Sequence, residues 1–276
     1  MLCRVCNYSI KEEYFRTKIL GKYEGVFYLC PKCGALFPDD PYWLDEAYSN
    51  NQSVTDTDTG IMERNRLLTL KVSNFYRKEI KTGKVLDYGG GYGVLTRMLR
   101  DVGIDCVWYD KYTSNLFARG FEWNNGRVEL LLMMEVFEHF LDPVEELRKA
   151  FSYSNVVILS TILYSSEWES LPPQKEDWWY YDFNSGQHIF FANIKTMQTI
   201  ARMLDVEYYN INGLHVFSKS KINSMKIRVQ YNNVLAKILE KVLFSYWKRR
   251  EINSVMNDYL YLDRKKYEET QKDIQK

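Results

Sequence analysis

The sequence predicts an α/β protein built on a parallel sheet, and three observations support this fold class. Four apolar runs of strand length alternate with segments of helical spacing, at residues 84–87, 104–109, 128–134 and 155–161. Glycines cluster directly after the first run, as in the strand–turn–helix elements of doubly wound sheets. Two later runs, 206–211 and 214–218, meet at Asn212-Gly213, a dipeptide typical of tight hairpins. We therefore expect parallel strands covered by helices on both faces, followed by an antiparallel hairpin.

Length and composition are those of a globular protein with one substantial domain and an appendage, or two small domains. The 276 residues are 46% hydrophobic and 26% charged, which excludes a disordered or low-complexity chain. Lys and Arg number 37 against 36 acidic residues, and this net charge of +1 argues against a dedicated nucleic-acid binder. The apolar runs are shorter than the roughly 20 residues of a membrane span, and no signal-peptide pattern begins the chain. We expect a soluble, cytoplasmic protein.

Two cysteine pairs, Cys3-x-x-Cys6 and Cys30-x-x-Cys33, lie near the start of the chain. Two-residue spacing lets both thiolates of one turn reach the same tetrahedral ion, so two such turns predict a closed structural zinc site. Between the pairs, residues 18–23 and 26–29 are predicted to be strands around a turn, the plan of a zinc ribbon. Four reduced, unliganded thiols are the alternative. A catalytic zinc is not expected because four cysteines leave no open position.

The glycine cluster follows an acid, in the order Asp87-x-Gly89-x-Gly91-x-Gly93. A strand, a glycine turn and a helix together form a nucleotide-binding element, because glycines let a ligand lie against the backbone. The dinucleotide fingerprint G-x-G-x-x-G fails in every register, and no Gly-Lys-Ser/Thr follows to make a phosphate loop. Asp110 ends the second apolar run, where a carboxylate is well placed to accept both hydroxyls of a ribose.

Three motifs in order resemble class I S-adenosylmethionine-dependent methyltransferases: V-L-D-x-G-x-G-x-G at 85–93, Asp110, and E-V-F-E-H-F-x-D-P at 135–143. The resemblance covers about residues 44–219 and looks closest to bacterial enzymes of sugar and surface-polysaccharide biosynthesis, some of which also begin with paired zinc cysteines. It implies a Rossmann-like methyltransferase sheet that the antiparallel hairpin closes. One departure is Val128-Glu129, since the family usually opens that strand with Phe-Asp. Further stretches match at 43–49, 58–60, 64–65, 178–181 and 186–189.

The resemblance implies S-adenosylmethionine as the cofactor. The Gly89–Gly93 backbone would approach its methionine part, with Asp87 near the ammonium group and Asp110 on the ribose. A hydrogen bond between loop and helix is the alternative role for Asp87. Four further residues are expected at this cofactor: Met134 and Glu135 at the adenosyl group, and Arg64 and Asn65 over the methionine carboxylate. A solvated helix face is the alternative for the last two.

The acceptor pocket is expected in the loops beyond the strand tips, at about 40–60 and 161–190. Flat aromatic rings suit the apolar face of a sugar, although a packed lid has the same pattern. The candidate substrate-binding residues are Tyr48, Trp178, Trp179, Tyr180 and Tyr181.

Histidine is the side chain best suited to take a hydroxyl proton near neutral pH, and the chain has three. His188 lies in the long loop beside the aromatic residues, and this location makes it the preferred general base. Binding of the acceptor or a structural role are its alternatives. His139 is the second catalytic candidate, although a structural role fits it better. His215 lies on a predicted hairpin strand, away from the strand tips.

We expect three segments: a zinc ribbon at 1–40, a methyltransferase domain at 41–220 and a basic helical extension at 221–276. The extension holds 13 basic and 7 acidic residues, a net charge of +6, whereas residues 1–220 hold 24 and 29, a net charge of −5. It also has an apolar stripe at helical spacing: Val234, Leu235, Ile238, Leu239, Val242, Leu243, Tyr246 and Trp247. We predict a helix packed on its own domain or on a dimer partner. Peripheral binding to the inner membrane face is the alternative.

The sequence thus predicts methyl transfer to a small molecule, with a sugar or nucleotide-sugar of polysaccharide biosynthesis as the preferred acceptor. An RNA methyltransferase that uses the zinc ribbon to bind RNA is one alternative. The net negative charge of residues 1–220 disfavours it, because phosphate contacts need clustered cations. A non-catalytic binding partner in an assembly is the other alternative, and an activity assay with labelled cofactor would discriminate it.

Overall fold

The structure is a computed structural model that describes residues 1–49, 60–165, 171–175, 177–211, 213–222, 242 and 252–274. The chain divides into two compact units, the first formed by 1–61 and 130–222 and the second by 62–129 and 223–276. The boundaries near residues 40 and 220 stay a prediction. None of the helices within the described ranges is long and apolar enough to cross a membrane.

The helices and strands alternate along the chain as the α/β prediction requires. In chain order they are β1 (Phe15–Ile19), β2 (Tyr23–Leu29), β3 (Leu36–Pro38), α1 (Leu44–Ser49), α2 (Ile61–Phe75), β4 (Val85–Tyr88), α3 (Val94–Asp101), β5 (Cys106–Tyr109), β6 (Leu130–Met134), α4 (Pro143–Tyr153), β7 (Val156–Ser160), α5 (Ile194–Met203), β8 (Glu207–Ile211), β9 (Leu214–Ser218) and α6 (Ile252–Ile274). A π-helical turn, Tyr76–Ile80, follows α2, and short 3₁₀ turns lie at Phe137–His139 and Trp179–Tyr181.

The first unit opens with an antiparallel sheet of order β1-β2-β3. The predicted strand 26–29 lies inside β2, whereas the predicted strand 18–23 was wrong in position, because the turn lies at residues 20–22. A third strand follows the second cysteine pair. Gly21 supplies the positive φ of that turn. Gly25 instead lies inside β2, where an added Cβ would come within 2.9 Å of the Ile19 side chain. Both glycines suit a turn by composition, and only packing distinguishes them.

The rest of the first unit is a sheet with helices. β6 and β7 are parallel, β9 pairs antiparallel with β7, and β8 pairs with β9. Every residue of β6 is buried, as expected for a strand covered on both faces. The hairpin β8–β9 is confirmed, although Asn212 of its predicted turn lies outside the described residues. Asp142 caps α4 and Asn193 caps α5 with a capping box, which fixes where both helices begin.

The second unit contains the parallel pair β4–β5 and the helix α3 that follows the glycine cluster. The helix α6 packs here, because Asp258 accepts hydrogen bonds from Arg97 and Arg100 at 2.6–2.8 Å. Tyr261 of α6 also stacks on Phe121, with ring centres 5.8 Å apart. The predicted apolar stripe at 234–247 lies outside the described residues except for Val242. Its contact with a membrane or a dimer partner stays a prediction.

Together these elements confirm the predicted fold class, an α/β protein with parallel strands and an antiparallel closing hairpin.

Candidate active site

The glycine cluster of the second unit forms a tight loop between β4 and α3. Gly89, Gly91 and Gly93 all have positive φ, at 77°, 52° and 86°, which glycine adopts without strain. Trp108 anchors the loop, because its Nε1 donates a 2.8 Å hydrogen bond to the Gly91 carbonyl. A Cβ added to Gly93 would lie 2.8 Å from Asn115 Oδ1, whereas one added to Gly91 would meet nothing within 4 Å. The loop is therefore packed at Gly93 and open at Gly91, where a ligand can approach the backbone.

Asp87 is the second-last residue of β4 and is only 1% exposed. It accepts a 2.8 Å hydrogen bond from Thr96 Oγ1 of α3, so the strand-to-helix bond that was its alternative role is present. Burial, partly offset by that bond, raises the pKa of Asp87 to about 6, and the nearby charge of Asp110 also raises it. An added positive charge at the loop would favour the ionised form.

Asp110 follows β5 and accepts three backbone hydrogen bonds. Its Oδ2 accepts from Gly91 N at 3.0 Å, and its Oδ1 from Tyr112 N and Thr113 N at 2.8 and 2.7 Å. A carboxylate has about four lone-pair sites, so Oδ2 retains capacity for a ligand hydroxyl. Asp110 thus joins the glycine loop to the chain after β5.

Two cofactor candidates lie on α2 and two lie in the first unit. Arg64 is exposed, and Asn65 is half-buried, with its carbonyl accepting a hydrogen bond from Thr69 Oγ1. Met134 is the buried last residue of β6.

Glu135 follows β6 with a positive φ of 55°, a region that costs a non-glycine residue free energy and is common at functional sites. Ser160 at the end of β7 holds it there by donating to Glu135 Oε1 at 2.6 Å and accepting from Glu135 N at 3.0 Å. The two strand ends therefore fix this carboxylate together.

The structure brings together the two catalytic candidates of the first unit. The rings of His139 and His188 are 5.0 Å apart. Nδ1 of His188 lies 2.6 Å from the Tyr180 carbonyl, which can only accept, so Nδ1 carries the hydrogen. In the neutral ring, Nε2 then keeps its lone pair and is free to take a proton. Nδ1 of His139 lies 2.9 Å from the Tyr48 hydroxyl, and burial, with a contribution from His188, lowers the pKa of His139 to about 3.

Glu138 also belongs to this cluster, and sequence reasoning gave it no role. It is 1% exposed, and neither carboxylate oxygen has a hydrogen-bond partner within the described part of the chain. Burial and the neighbouring Glu135 raise the pKa of Glu138 to about 7. Its sequence signal was its position directly before His139 in E-x-x-E-H.

The aromatic candidates do not form one surface. Tyr180 and Tyr181 are 2% and 1% exposed and belong to an aromatic core with Phe27, Trp43 and Phe191. Trp178 is half-buried against that core, whereas Trp179 is 77% exposed. The alternative interpretation of the aromatic run, a packed lid, therefore fits Tyr180 and Tyr181. Residues 50–59, 166–170 and 176 of the predicted acceptor loops lie outside the described residues.

His215 lies on β9 and is fully engaged. Its Nδ1 is 2.8 Å from the Tyr208 hydroxyl and its Nε2 is 3.2 Å from the Thr161 carbonyl. Burial lowers the pKa of His215 to about 4. Both ring nitrogens of His215 thus have hydrogen-bond partners within the fold, as expected for the histidine that was not a catalytic candidate.

The four N-terminal cysteines converge in the first unit, with their Sγ atoms within 4.8 Å of one another. The pairs Cys3–Cys33 and Cys6–Cys30 are 3.5 and 3.6 Å apart, too far for a disulfide. In a tetrahedral site with zinc–sulfur bonds of about 2.3 Å, the sulfurs would be about 3.8 Å apart. The four thiols therefore fit such an ion.

Comparison with known proteins gives a family and several structural likenesses. A family model described as "Methyltransferase domain" matches residues 62–209. An O-methyltransferase family 2 protein from Planctomyces limnophilus DSM 3776, solved with apigenin, is 14% identical, with a TM-score of 0.39 over 63% of this chain and 66% of that one. CalO1, a methyltransferase of calicheamicin biosynthesis, is 12% identical, with a TM-score of 0.45 over 64% and 61%. The plantazolicin methyltransferase BpumL is 16% identical, with a TM-score of 0.45 over 71% and 84%.

The chain spans just under two thirds of the first two of these structures. A search of curated proteins found no match. The family model covers more than half of the 276 residues, so the chain belongs to the methyltransferase-domain family.

Proposed function

We propose that the chain transfers a methyl group from S-adenosylmethionine to a small molecule, a sugar or nucleotide-sugar of polysaccharide biosynthesis. Family membership supports methyl transfer and this donor. The observation that carries the acceptor chemistry is the hydrogen bond from His188 Nδ1 to the Tyr180 carbonyl, because it leaves Nε2 as a base.

The second unit supplies the proposed contacts to the methionine and ribose parts of the donor. The loop from Gly89 to Gly93 offers its open side at Gly91 to the methionine part. Asp87 favours the ammonium group by charge, and Oδ2 of Asp110 accepts from the ribose. Arg64 and Asn65 are proposed at the methionine carboxylate, whose charge complements Arg64.

We assign Met134 and Glu135 to the adenosyl group. Met134 offers a polarizable apolar surface at the end of β6. The carboxylate of Glu135, held by Ser160, offers an acceptor for a hydroxyl or amino group.

Positioning and proton removal are the work of the protein's own side chains in this reaction. S-adenosylmethionine supplies a methyl group on a cationic sulfur, so the carbon is already activated. The acceptor oxygen must be held in line with that carbon. As the oxygen–carbon bond forms and the carbon–sulfur bond breaks, Nε2 of His188 takes the hydroxyl proton. His139 stays neutral because of its low pKa and orients the Tyr48 hydroxyl.

The residues near the proposed base suit a sugar. The Tyr48 hydroxyl can hydrogen-bond a sugar hydroxyl, and Trp179 offers an exposed ring for the apolar face of a sugar. We assign Trp178, Tyr180 and Tyr181 an indirect role in acceptor binding. They pack into the aromatic core next to Trp179 and so hold its ring in place.

We also propose one structural zinc ion per chain, held by Cys3, Cys6, Cys30 and Cys33. Backbone bonds within the cysteine turns, such as Gly34 N to the Cys30 carbonyl at 2.8 Å, support the site.

The acceptor is tested by incubating the zinc-loaded protein with labelled S-adenosylmethionine and a panel of nucleotide-sugars. Release of S-adenosylhomocysteine and a methylated sugar with one or more members of the panel would support the proposal. Methylation of RNA in the same assay, with no nucleotide-sugar methylated, would contradict it.

A further inference from the structure

Three potential metal ligands meet in the first unit, away from the cysteines. One ligand atom from each of Glu138, His139 and His188 lies within 4.8 Å of the other two. Two of these residues are adjacent in the 3₁₀ turn after β6. The backbone tethers the third, because Ile189 N and Phe190 N both donate to the Glu138 carbonyl, at 2.9 and 3.0 Å.

The charge in this cluster is only partly compensated, since the nearby His188 ring and Tyr180 hydroxyl offset part of the burial that raises the pKa of Glu138. The Glu138 carboxylate is buried, and neither of its oxygens has a hydrogen-bond partner among the described residues. A second carboxylate, Glu135, is close enough to interact with it electrostatically. A buried ionised carboxylate without a partner costs several kcal/mol, so a proton or a cation must offset it.

The His188 imidazole is arranged as metal-binding histidines commonly are, and His139 keeps one ring nitrogen for a ligand. A ligating histidine usually donates its other ring N–H to a carbonyl or carboxylate, which fixes the tautomer. His188 does this through Nδ1, which donates to the Tyr180 carbonyl at 2.6 Å. His139 has its Nδ1 on the Tyr48 hydroxyl at 2.9 Å, and its Nε2 is the remaining nitrogen.

We propose that Glu138, His139 and His188 bind one divalent transition-metal cation. Two imidazoles and a carboxylate form a donor set that such cations accept, with the remaining coordination positions open to water or a ligand oxygen. Bonds of about 2.0–2.2 Å require side-chain movements of about 1 Å from the observed positions. The site is separate from the cysteine cluster, whose thiolates select zinc.

The inference stands apart from the proposed function, because binding can be measured without turnover. The two meet at one atom, since Nε2 of His188 is both the metal ligand and the proposed base. A bound cation excludes the proton from this nitrogen. With His188 as the base, the metal-bound form is therefore inhibited.

Nickel is the probe, because imidazole binds it well and its divalent ion sits high in the affinity order. The zinc-loaded full chain, without a polyhistidine tag, is titrated with Ni²⁺ by calorimetry. Elemental analysis confirms that zinc is retained. We expect one Ni²⁺ per chain, and at least tenfold weaker binding in Glu138→Gln and in His188→Gln. Glu207→Gln, which removes an exposed carboxylate of the same unit, should bind as the wild type does.

Thermal melting of each variant shows whether it is folded, and the shift of its melting temperature by Ni²⁺ gives a second measure of binding. Ni²⁺ should raise the melting temperature of the wild type and of Glu207→Gln but not that of folded His188→Gln. Absence of Ni²⁺ binding to the wild type, or an affinity for Ni²⁺ in both ligand variants equal to that of the wild type, would overturn the site and leave the proposed function intact.

Turnover distinguishes the two proposals. Inhibition by Ni²⁺ supports both of them. Activity that requires Ni²⁺ supports the site and overturns His188 as the base. Unchanged turnover at saturating Ni²⁺ overturns His188 as the base if His188→Gln binds Ni²⁺ more weakly than the wild type, and overturns His188 as a ligand if it does not.

Discussion

A single hydrogen bond decides what His188 can do. With its Nδ1 hydrogen on the Tyr180 carbonyl, the neutral ring presents Nε2 as an acceptor. His139, one contact away, is kept neutral by burial, and His215 has both nitrogens occupied. Residue type alone does not separate these histidines, whereas their hydrogen-bond partners do.

Replacing His188 by Gln should lower turnover about 10²-fold or more, within the usual range for a lost general base. The affinity for S-adenosylmethionine should stay near that of the wild type, because the variant leaves the glycine loop untouched. Steady-state rates across pH 6 to 9 and cofactor titration measure the two effects. Wild-type turnover throughout that range would show that His139 or a carboxylate is the base instead.

The affinity for S-adenosylmethionine should depend on pH through Asp87. Its pKa of about 6 means that the carboxylate is ionised at pH 7.5 and mostly protonated at pH 5. The donor's ammonium favours the ionised form, so a proton must leave before binding, and affinity should fall about tenfold between these pH values. Calorimetry at both pH values measures this fall. Asp87→Asn should remove this dependence of the affinity on pH. A wild-type affinity that does not change with pH would show that Asp87 does not bind the ammonium group.

At this scale, the sequence could single out the loop of His188 but not the residues that this histidine meets. The position of His188 beside aromatic residues indicated a role, and the structure places it against His139. Glu138 was missed, because only the structure shows that its carboxylate is buried and has no hydrogen-bond partner among the residues described. The sequence could not choose between a binding surface and a packed lid for the aromatic run 178–181, because Trp179 is exposed and its neighbours Tyr180 and Tyr181 are buried.

At the scale of elements, the cysteine-bearing sheet and the loop of His188 share one core. Phe27 of β2 and Leu36 of β3 pack with Tyr180 and Phe191 on either side of His188 in sequence. Leu36 also exchanges backbone hydrogen bonds with Phe191, at 2.9 and 2.8 Å. The zinc site is therefore expected to support the position of the base.

Cys33→Ser should lose the zinc ion and unfold the N-terminal segment, because metal affinity there is folding free energy. Turnover should fall as well, since the shared core carries His188. Elemental analysis, thermal melting and steady-state rates measure the three effects. Cys106→Ala is the matched control, because this buried thiol lies in β5 and should leave zinc at one per chain. Wild-type protein purified without chelator that contains no stoichiometric metal would contradict the site.

Strand positions from 84 to 218 could be predicted because apolar runs specify them locally. The N-terminal sheet could not, because Gly21 and Gly25 are equally good turn residues in isolation. The contact between Gly25 and Ile19, which excludes a Cβ, is a tertiary constraint.

In the whole molecule, the segment that matches the family model and the segment with a net positive charge are different parts of the chain. The family model covers 62–209, within the part of the chain that carries net negative charge. The positive charge is concentrated after residue 220, and there Asp258 docks α6 through Arg97 and Arg100 of α3. The described part of the extension thus serves packing within its own unit.

Calorimetric titration with S-adenosylmethionine tests most directly whether this methyltransferase uses the proposed donor site. The wild type should bind S-adenosylmethionine and not NAD. Asp110→Ala should weaken binding by roughly 1.5–3 kcal/mol through the loss of charge-assisted hydrogen bonds to the ribose. Asp110→Asn, which keeps one oxygen for the loop amides, should weaken it less. Binding of NAD, or unchanged affinity for S-adenosylmethionine in Asp110→Ala, would contradict the assignment.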